Sequence, residues 1–561
     1  MNSPKTANYL LLAGFLLCML QVWLPGYYLT GDGPCHLYNA QILHNLWSGK
    51  NIAFYERFFE VVGKPNPNWM THILLGALLF VFKGVVAEKI LLSGYVLLFV
   101  SGFTGILKRL DSDSLLWPLV VFVFVFNYVL AKGFYNFSFS MALLFWMINT
   151  WLLVLERINA VRVAGFFILV CLTFFAHPVA FAFGGFCCLA LSVSSYVTGY
   201  INRKERKEAK KAQSKTRLKV IFGNLLLLGL CLLPCGLMLI MFAAGEAHEG
   251  GISLHLSRNK ILEFADFNCL VNVSSSEVIL VRIVWFLLAG LLLFALFQRF
   301  RKGFLWQRYD GLFGGMLFAL FLYLFFPDKL FGGSLFAIRA QYLWGLFMVC
   351  CIGYMVPAGK LKNGAGILFF IAFTGLSIPR IIVMASASDG VKDIVSAGQF
   401  IKPFSIVLPL DFSPGGLDKT GAVIADRNWM FCHAWQYMGV DKPLIILDNY
   451  EANTGYFPLV WKDSTNPYHH LCTNGAMEGQ PPYATINYYK SETGVTIDYI
   501  MLWCYQDKWL WDEHFRKLYK EIMAGYRLVY KSESGRVELY ERRSSPVSIL
   551  AVLPEGQTNR D

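Results

Sequence analysis

The sequence is poor in charged residues and lacks the cysteine patterns that structural zinc sites use. Only 15% of its 561 residues are charged, whereas 56% are hydrophobic, and the mean hydropathy is +0.48. Soluble domains do not carry so large an apolar fraction. The thirteen cysteines include no CxxC pair and no Cys/His spacing typical of zinc. These absences exclude a soluble enzyme and a zinc finger, and they favour an integral membrane protein.

Five cysteines lie in polar segments, where an oxidising compartment would allow them to pair. The sequence leaves open whether they form disulfides. They are Cys35, Cys269, Cys432, Cys472 and Cys504.

Long apolar runs predict about eleven transmembrane helices, since a span needs about 20 apolar residues. The predicted spans are Tyr9–Leu24, Ile90–Leu107, Leu115–Leu130, Phe137–Leu155, Val163–Phe175, Val179–Val197, Val220–Phe242, Val278–Phe297, Leu312–Phe326, Ala340–Met355 and Gly366–Met384. One further run, Trp69–Phe82, is short and is followed by Lys83, so we expect a re-entrant or interfacial helix there. The first run ends without a small-residue cleavage site, which favours a retained helix over a signal peptide.

Basic residues occur in alternate loops between these spans, which indicates the orientation. Assigning the basic loops to the cytoplasmic side predicts a cytoplasmic N-terminus and a C-terminus outside the cytoplasm. The net charge of +12 is then a topology signal and not a sign of nucleic-acid binding. The residues concerned are Lys108, Arg109, Arg157, Arg162, Arg299, Arg301, Lys302, Arg308, Lys360, Lys362 and the run Asn202–Lys219.

The sequence predicts three regions, the first of them a transmembrane module over residues 1–387 with a long outer loop at 26–89. Residues 388–545 change character, since short apolar strands alternate with the helical stretch "DEHFRKLYKEIM" and end in an alternating hairpin around "SESG". This pattern predicts an extracytoplasmic α/β domain. Residues 546–561 form a polar tail. The fold class is therefore a polytopic α-helical membrane protein with a C-terminal α/β domain.

The first outer loop begins with "GDGPCH", in which Asp32 stands just before Gly33 and Pro34. A Pro at the first position favours a helix start, and Asp is a good N-cap residue. Apolar residues at helical spacing follow, so we expect an amphipathic helix on the outer membrane surface. Two interpretations of Asp32 stay open at this point, a helix cap and a catalytic carboxylate.

The chain resembles the GT-C superfamily of membrane glycosyltransferases, in particular the protein mannosyltransferase and aminoarabinose transferase-like group. The resemblance lies in the architecture, in "GDGPCH" and in the apolar segment after "KPNPNWMTH". It implies a GT-C-like fold and transfer of a sugar from a polyprenyl-phosphate donor to an extracytoplasmic acceptor, which is a glycan, a lipid or a protein. It also implies that Asp32 is the catalytic base. One carboxylate suffices for inversion, because phosphate is already a good leaving group.

The resemblance further implies substrate-binding residues on the outer face. A leaving phosphate needs a cation, and Arg339, Lys329 and Arg380 are candidates. For Arg339 and Arg380 the alternative is that the side chain snorkels to the interface. The loop that carries a second acid in many relatives has none here. Tyr135 and Asn136 stand there instead, and they are candidates for sugar binding. This departure weighs against a metal bridged by two acids.

Histidines on the same predicted face complete the candidate site, namely His36, His72 and His177. No HxxH-type spacing identifies metal ligands, so the metal ligands are unknown. No cofactor follows from the sequence, and a divalent cation remains an option. The expected partners are the polyprenyl-phosphate-sugar donor, the acceptor and membrane lipid.

Two alternatives from other classes remain, a transporter or flippase of a lipid-linked saccharide and a non-catalytic membrane assembly protein. A transporter should show internal repeats and interrupted helices, and the sequence shows no such symmetry. We expect an integral protein of the bacterial inner membrane with its active site on the extracytoplasmic face. The oligomeric state does not follow from the sequence.

Overall fold

The computed structural model describes residues 3–64, 66–204, 212–246, 254, 256, 258–303, 305–329, 333–472 and 480–544. The predicted polar tail at 546–561 lies outside the described residues. So does part of the basic run at 202–219. All cysteines in the described residues are free thiols, and the five polar-segment cysteines form no disulfide.

Helices make up most of the described chain. They are α1 (Pro4–Trp23), α2 (Gly33–Trp47), α3 (Ile52–Tyr55), α4 (Met70–Leu78), α5 (Gly84–Leu110), α6 (Val121–Val125), α7 (Tyr128–Ala131), α8 (Tyr135–Glu156), α9 (Ala160–Ala176), α10 (Pro178–Lys204), α11 (Ala212–Glu246), α12 (Arg258–Glu263), α13 (Val278–Arg301), α14 (Asp310–Phe325), α15 (Phe336–Met355), α16 (Lys360–Ala397), α17 (Met438–Asp441), α18 (Pro467–His470), α19 (Ile486–Thr493) and α20 (Glu513–Gly525).

The strands are fewer, and they lie in the first loop and in the C-terminal region. They are β1 (Phe59–Val61), β2 (Ser405–Asp411), β3 (Leu444–Ile446), β4 (Leu459–Trp461), β5 (Tyr499–Trp503), β6 (Tyr526–Lys531) and β7 (Val537–Arg542).

Within the described residues, eight helices are long and apolar enough to cross a membrane, namely α1, α5, α8, α10, α11, α13, α15 and α16. Three shorter apolar helical segments occur at Trp117–Ala131, Ala160–Ala176 and Asp310–Phe325. Together they correspond to the eleven predicted spans, and the chain is an integral membrane protein. Helix α4 has nine residues and is about 13 Å long at 1.5 Å per residue, which is too short to cross, in agreement with the prediction for Trp69–Phe82.

Two of the predicted spans differ in detail from the observed helices. The third is not one helix, because the backbone is extended at Phe126 and Asn127, and the Asn127 side chain caps the short helix α7. The last does not end near Met384 but continues to Ala397, so Arg380 lies inside α16, next to Pro379. Both differences occur where polar residues interrupt or follow an apolar run, because the spans were predicted from apolar runs alone.

The described residues fall into two compact units. The helical unit is drawn from Met1–Leu24, Asn66–Thr71 and Lys89–Ile382. The α/β unit is drawn from Pro25–Pro65, His72–Glu88 and Val383–Asp561. Most of the first loop therefore belongs to the same unit as the C-terminal region, although residues 89–382 lie between the two in the chain.

The helical unit is packed closely enough to need small residues at helix crossings. A Cβ on Gly311 would come within 2.4 Å of the backbone nitrogen of Leu191, and one on Gly366 within 2.1 Å of the carbonyl oxygen of Leu116. Only glycine permits such approach, as is common between membrane helices.

Ion pairs bring together loops that the sequence assigned to one side of the membrane. Glu156 accepts from Arg109 at 2.9 Å and from Arg308 at 3.3 Å. Lys362 donates to Asp111 at 2.6 Å. The ends of α5 and α8 and the starts of α14 and α16 thus meet at one end of the helical unit. This grouping agrees with the one-sided distribution of basic residues that predicted the topology.

The α/β unit contains a five-stranded sheet in the order β3-β2-β5-β7-β6. Strands β3, β2 and β5 are parallel, and β5, β7 and β6 are antiparallel, so the predicted hairpin is present. All residues of β2, β3 and β5 are buried, as the apolar runs indicated. The predicted helix in "DEHFRKLYKEIM" is α20.

The first loop supplies a buried helix to this unit. Helix α2 begins at Gly33 as expected, but the prediction that it lies on the membrane surface is wrong, because twelve of its residues are buried, on every face. The hydroxyl of Tyr38 donates to the carbonyl oxygen of Leu444 at 2.8 Å and accepts from the amide of Ile446 at 3.2 Å. Tyr38 thereby satisfies backbone groups of the edge strand β3 that would otherwise be exposed for pairing.

Candidate functional site

Polar residues cluster where strand β3 ends. The segment after Ile446 carries Asp448, Asn449 and Glu451, all with no exposed surface. Ligand sites of parallel sheets lie beyond the carboxyl ends of the strands. A site in the α/β unit is therefore expected at the carboxyl ends of its parallel strands.

Two histidines from the first loop meet Glu451. His36 Nδ1 lies 2.7 Å from Glu451 Oε1, and His72 Nε2 lies 2.9 Å from Glu451 Oε2. The two ring nitrogens are themselves 3.2 Å apart. His36 stands in the first turn of α2 and His72 in the first turn of α4, so each ring is fixed on a helix. The structure thus brings together two of the predicted histidines with an acid that the sequence did not single out.

A second layer of amides orients this cluster. Asn39 Nδ2 donates to Glu451 Oε2 at 2.9 Å, and Asn449 Nδ2 donates to Asn39 Oδ1 at 2.7 Å. The thiol of Cys35 donates to Asn449 Oδ1 at 3.2 Å. Residues 35, 36 and 39 share one face of α2, as spacings of three and four require. One helix face therefore serves both the histidine and its supporting amides.

The two imidazoles favour the charged form of the Glu451 carboxylate. Its burial acts to raise the pKa, but the neighbouring imidazoles of His36 and His72 outweigh burial and hold the pKa of Glu451 well below its usual range. A fully buried carboxylate held in its charged form favours a bound cation over a bound proton.

Asp448 is the centre of a separate hydrogen-bonded group. Its Oδ2 accepts from Trp435 Nε1 at 2.8 Å and lies 3.1 Å from His433 Nδ1, and its Oδ1 accepts from the Tyr468 hydroxyl at 3.2 Å. The ring of His433 stacks on that of Tyr450 with centroids 4.8 Å apart. These contacts hold the loop after β3 in place and connect it to residues 432–437, "CHAWQY".

Asp32 lies at the start of α2 and is buried, with 8% of its surface exposed. It occupies the N-cap position, but its backbone is in the right-handed helical region and its side chain makes no capping hydrogen bond. The Gly33 amide bonds instead to the hydroxyl oxygen of Thr30 at 3.1 Å. The interpretation of Asp32 as a side-chain cap is therefore wrong.

The charge of Asp32 acts on the same residues as that of Glu451. Burial raises the pKa of the Tyr450 hydroxyl well above its usual range, and Asp32 and Glu451 raise it further. Burial and the same two carboxylates raise the pKa of the Cys35 thiol. Both groups stay protonated, which leaves the carboxylates and histidines as the ionisable residues of this region.

In the helical unit, Arg339 and His177 are in contact. Arg339 Nη1 donates to His177 Nε2 across 3.2 Å. The guanidinium carbon lies 4.4 Å from the ring centroid of Phe134 and 5.5 Å from that of Phe137. Burial and the charge of Arg339 hold the pKa of His177 well below its usual range, so the imidazole is neutral. Two of the predicted substrate-binding residues are thus joined, and the pair keeps its positive charge.

The other predicted substrate-binding residues of the helical unit have different surroundings. Asn136 holds the segment before α4, since its Oδ1 accepts from the Thr71 amide at 2.9 Å and its Nδ2 donates to the Asn68 carbonyl oxygen at 2.7 Å. Tyr135 is fully buried at the start of α8, whereas Lys329 is exposed.

Arg380 is engaged in a buried ion pair. Its Nε donates to Glu277 Oε2 at 2.8 Å, and its Nη2 donates to the Leu270 carbonyl oxygen at 2.8 Å. Glu277 in turn accepts from the amides of Asn272 and Val273. These contacts connect α16 to the segment before α13.

Sequence reasoning missed Glu451, the residue on which the histidines converge. The signal was present in "LDNYEAN", where acids and amides directly follow an apolar strand. Such a sequence indicates a binding site only when it follows the C-terminal end of a strand in a parallel sheet. The strand order that puts Glu451 beside α2 does not follow from a single sequence.

The sequence matches no known protein family, and no curated protein matches it. Among solved structures, the fold is similar to that of ArnT from Cupriavidus metallidurans bound to undecaprenyl phosphate, with a TM-score of 0.47 and 7% sequence identity. The match covers 97% of this chain and 99% of that chain.

Proposed function

We propose that the chain is a membrane glycosyltransferase that moves a sugar from a polyprenyl-phosphate-linked donor to an extracytoplasmic acceptor, with inversion. The observation that carries the proposal is Asp32, a buried carboxylate at the start of α2 whose side chain does not cap the helix. Keeping a carboxylate buried costs free energy, and buried ionisable groups are candidates for chemistry.

The proposed chemistry needs one base. The sugar leaves from a phosphate that is already a good leaving group, so catalysis consists of removing a proton from the acceptor and positioning the two substrates. Asp32 takes the acceptor proton while the acceptor oxygen attacks the anomeric carbon. A single displacement of this kind inverts the configuration, whereas retention requires a second carboxylate as nucleophile.

In the helical unit, the proposal assigns phosphate binding to Arg339. Its guanidinium is planar and packs on two aromatic rings, which limits the side-chain freedom lost on binding. Its partner His177 is neutral and does not cancel the charge. A planar fork of donors suits two phosphate oxygens better than an ammonium group does.

The remaining predicted residues receive smaller roles. Tyr135 and Lys329 stay candidates for sugar or phosphate contacts. The side chains of Asn136 and Arg380 are engaged in the contacts described above, so we assign them to positioning the chain and not to the substrate.

A transfer assay with the full chain tests the proposal. The purified protein is reconstituted in vesicles with a total polyprenyl-phosphate-sugar extract and a membrane acceptor fraction, and loss of the lipid-linked sugar is followed by mass spectrometry. Asp32→Asn keeps the size of the side chain and removes only its charge and its basicity. We expect turnover to fall by about 10²–10⁴-fold.

The matched control is Asp463→Asn, which changes a carboxylate that is 88% exposed. It should transfer the sugar at the wild-type rate. Wild-type turnover by well-folded Asp32→Asn would overturn the catalytic assignment. Movement of the intact lipid-linked sugar across the vesicle membrane, without transfer, would favour the transporter instead.

A further inference from the structure

Three side chains from distant parts of the sequence converge in the α/β unit. His36 and His72 are separated by 36 residues, and Glu451 lies 379 residues beyond His72. Each side chain offers one ligand atom, and these three atoms all lie within 4.8 Å of one another. His72 and Glu451 are fully buried and His36 is 3% exposed. A buried group of this composition requires a physical explanation, because burying charge is costly.

Hydrogen bonding within the cluster accounts for Glu451 Oε2, which accepts from Asn39 Nδ2 at 2.9 Å and lies 2.9 Å from His72 Nε2, but not for Glu451 Oε1. His36 Nδ1 and His72 Nε2 face each other at 3.2 Å, so only one proton fits between them, although both nitrogens also approach Glu451. Glu451 Oε1 lies 2.7 Å from His36 Nδ1 but accepts no hydrogen bond of acceptable geometry within the described residues. One nitrogen of each histidine and the Glu451 carboxylate therefore lie close enough together to share one ligand.

We propose that His36, His72 and Glu451 bind a divalent transition-metal ion, with zinc as the ion that the donor set fits best. Two imidazoles and one carboxylate are a zinc ligand set that leaves a fourth position open for water or a substrate group. Ligands about 2.1 Å from a tetrahedral zinc lie roughly 3.4 Å from each other. The 3.2 Å between the two ring nitrogens is close to that value.

The donor set also argues against the common hard cations. Calcium and magnesium are bound by oxygen ligands, and magnesium retains most of its water. Two of the three ligands here are imidazole nitrogens, which suit zinc, copper, iron and nickel. A magnesium or manganese site bridged by two acids is a different arrangement.

The surroundings have the features of an organised metal shell. Asn39 donates to Glu451 Oε2 and so fixes the carboxylate, and Asn449 fixes Asn39. The ring of Phe457 lies 5.8 Å from that of His36 and 5.1 Å from that of His72, so the cluster has an apolar side. The thiol of Cys35 is engaged with Asn449 and is not a fourth ligand.

The ion would connect three segments of the α/β unit, namely the starts of α2 and α4 and the loop after β3. An ion that binds the folded protein and not the unfolded chain stabilises the fold by mass action. This inference does not rest on the proposed sugar transfer, and the experiment below measures metal and stability without any substrate.

Metal content is the direct test. The full-length protein is purified in detergent with an affinity tag other than polyhistidine, and zinc is measured by inductively coupled plasma mass spectrometry. We expect about one zinc per chain in the wild type and a loss of at least tenfold in Glu451→Gln and in His72→Ala. The matched control is His469→Ala, which removes an imidazole from an exposed pair with Asp463 and should leave zinc unchanged.

A second measurement uses the wild-type protein alone, so that it does not depend on whether a variant folds. Zinc is removed with a chelator and replaced by cobalt, whose visible absorption reports four-coordinate geometry. We expect intense tetrahedral bands and a lower thermal midpoint for the metal-free protein, restored by added zinc. Absence of both zinc and the cobalt bands in well-folded wild type, or zinc retained by both ligand variants, would overturn the proposal.

Discussion

The hydroxyl of Tyr437 donates to Glu88 Oε2 across 2.8 Å, although 349 residues separate the two. Glu88 has no exposed surface, and Tyr437 is 2% exposed. Both belong to the α/β unit, which takes Glu88 from the end of the first loop. The bond shows that the first loop is a structural part of this unit and not a separate appendage.

Removing this hydroxyl should destabilise the protein. Tyr437→Phe leaves the buried carboxylate of Glu88 short of a donor, which typically costs about 1–3 kcal/mol. Thermal unfolding in detergent measures the effect. Tyr488→Phe is the control, since Tyr488 is 54% exposed, and it should change stability by less than about 0.5 kcal/mol. Equal midpoints for the two variants would contradict the assigned importance of the bond.

Replacing Arg339 should weaken donor binding while the protein still folds. Arg339→Lys keeps the charge but replaces a planar fork with a single ammonium group, so the affinity for vesicle-embedded undecaprenyl phosphate, used as a probe, should fall by roughly tenfold. Turnover at saturating donor should change less.

The control for this experiment is Arg282→Lys, because Arg282 pairs with Asp266 at an exposed position. It should bind the probe as the wild type does. If Arg339→Lys and Arg282→Lys bind equally well, Arg339 does not bind the phosphate.

Arg380 should behave as a structural residue. Arg380→Ala leaves Glu277 buried without its charge partner, and breaking a buried ion pair in this way costs about 3–5 kcal/mol. The double variant Arg380→Met with Glu277→Gln should recover part of that loss. Thermal midpoints of the three proteins decide the matter. Unchanged stability in Arg380→Ala together with reduced donor affinity would instead restore Arg380 to the substrate site.

The topology predicted from basic loops is testable with two single cysteines. Lys302→Cys, after α13, and Lys490→Cys, in α19, should react from opposite sides of the membrane. Native cysteines in the described residues are buried except for the half-buried Cys171, so a Cys171→Ala background suffices. Labelling of both positions by an impermeant reagent in intact cells would contradict a model with the C-terminus outside.

Much of the architecture could be predicted from the sequence. Hydropathy located the apolar helices, because a bilayer demands about 20 apolar residues whatever surrounds them. Alternation around "SESG" located the hairpin β6–β7, since a strand with one buried face has a period of two. These signals are local and survive without knowledge of the fold. The break at Asn127 was missed because a single polar residue hardly changes the mean hydropathy.

The candidate site was predicted only in part. His36 and His72 were singled out for their chemistry, and the structure places them 3.2 Å apart. Asp32 was singled out for its position before Gly33 and Pro34, and it stands at the N-cap position of helix α2 without a side-chain capping bond. Glu451 and Asp448 were not found, because their importance depends on which strand they follow and on what lies beside that strand.

The sequence by itself determined the class of protein, the apolar helices and the strand-rich C-terminal region, because composition and periodicity report burial directly. The tertiary structure alone decided that α2 is buried, that β1 pairs with β4, and that His36, His72 and Glu451 meet. Contacts between residues some 400 positions apart leave no local sequence pattern, because each of the two residues could pack against many different neighbours. Only the packing of the first loop against the C-terminal sheet decides which neighbour each residue meets.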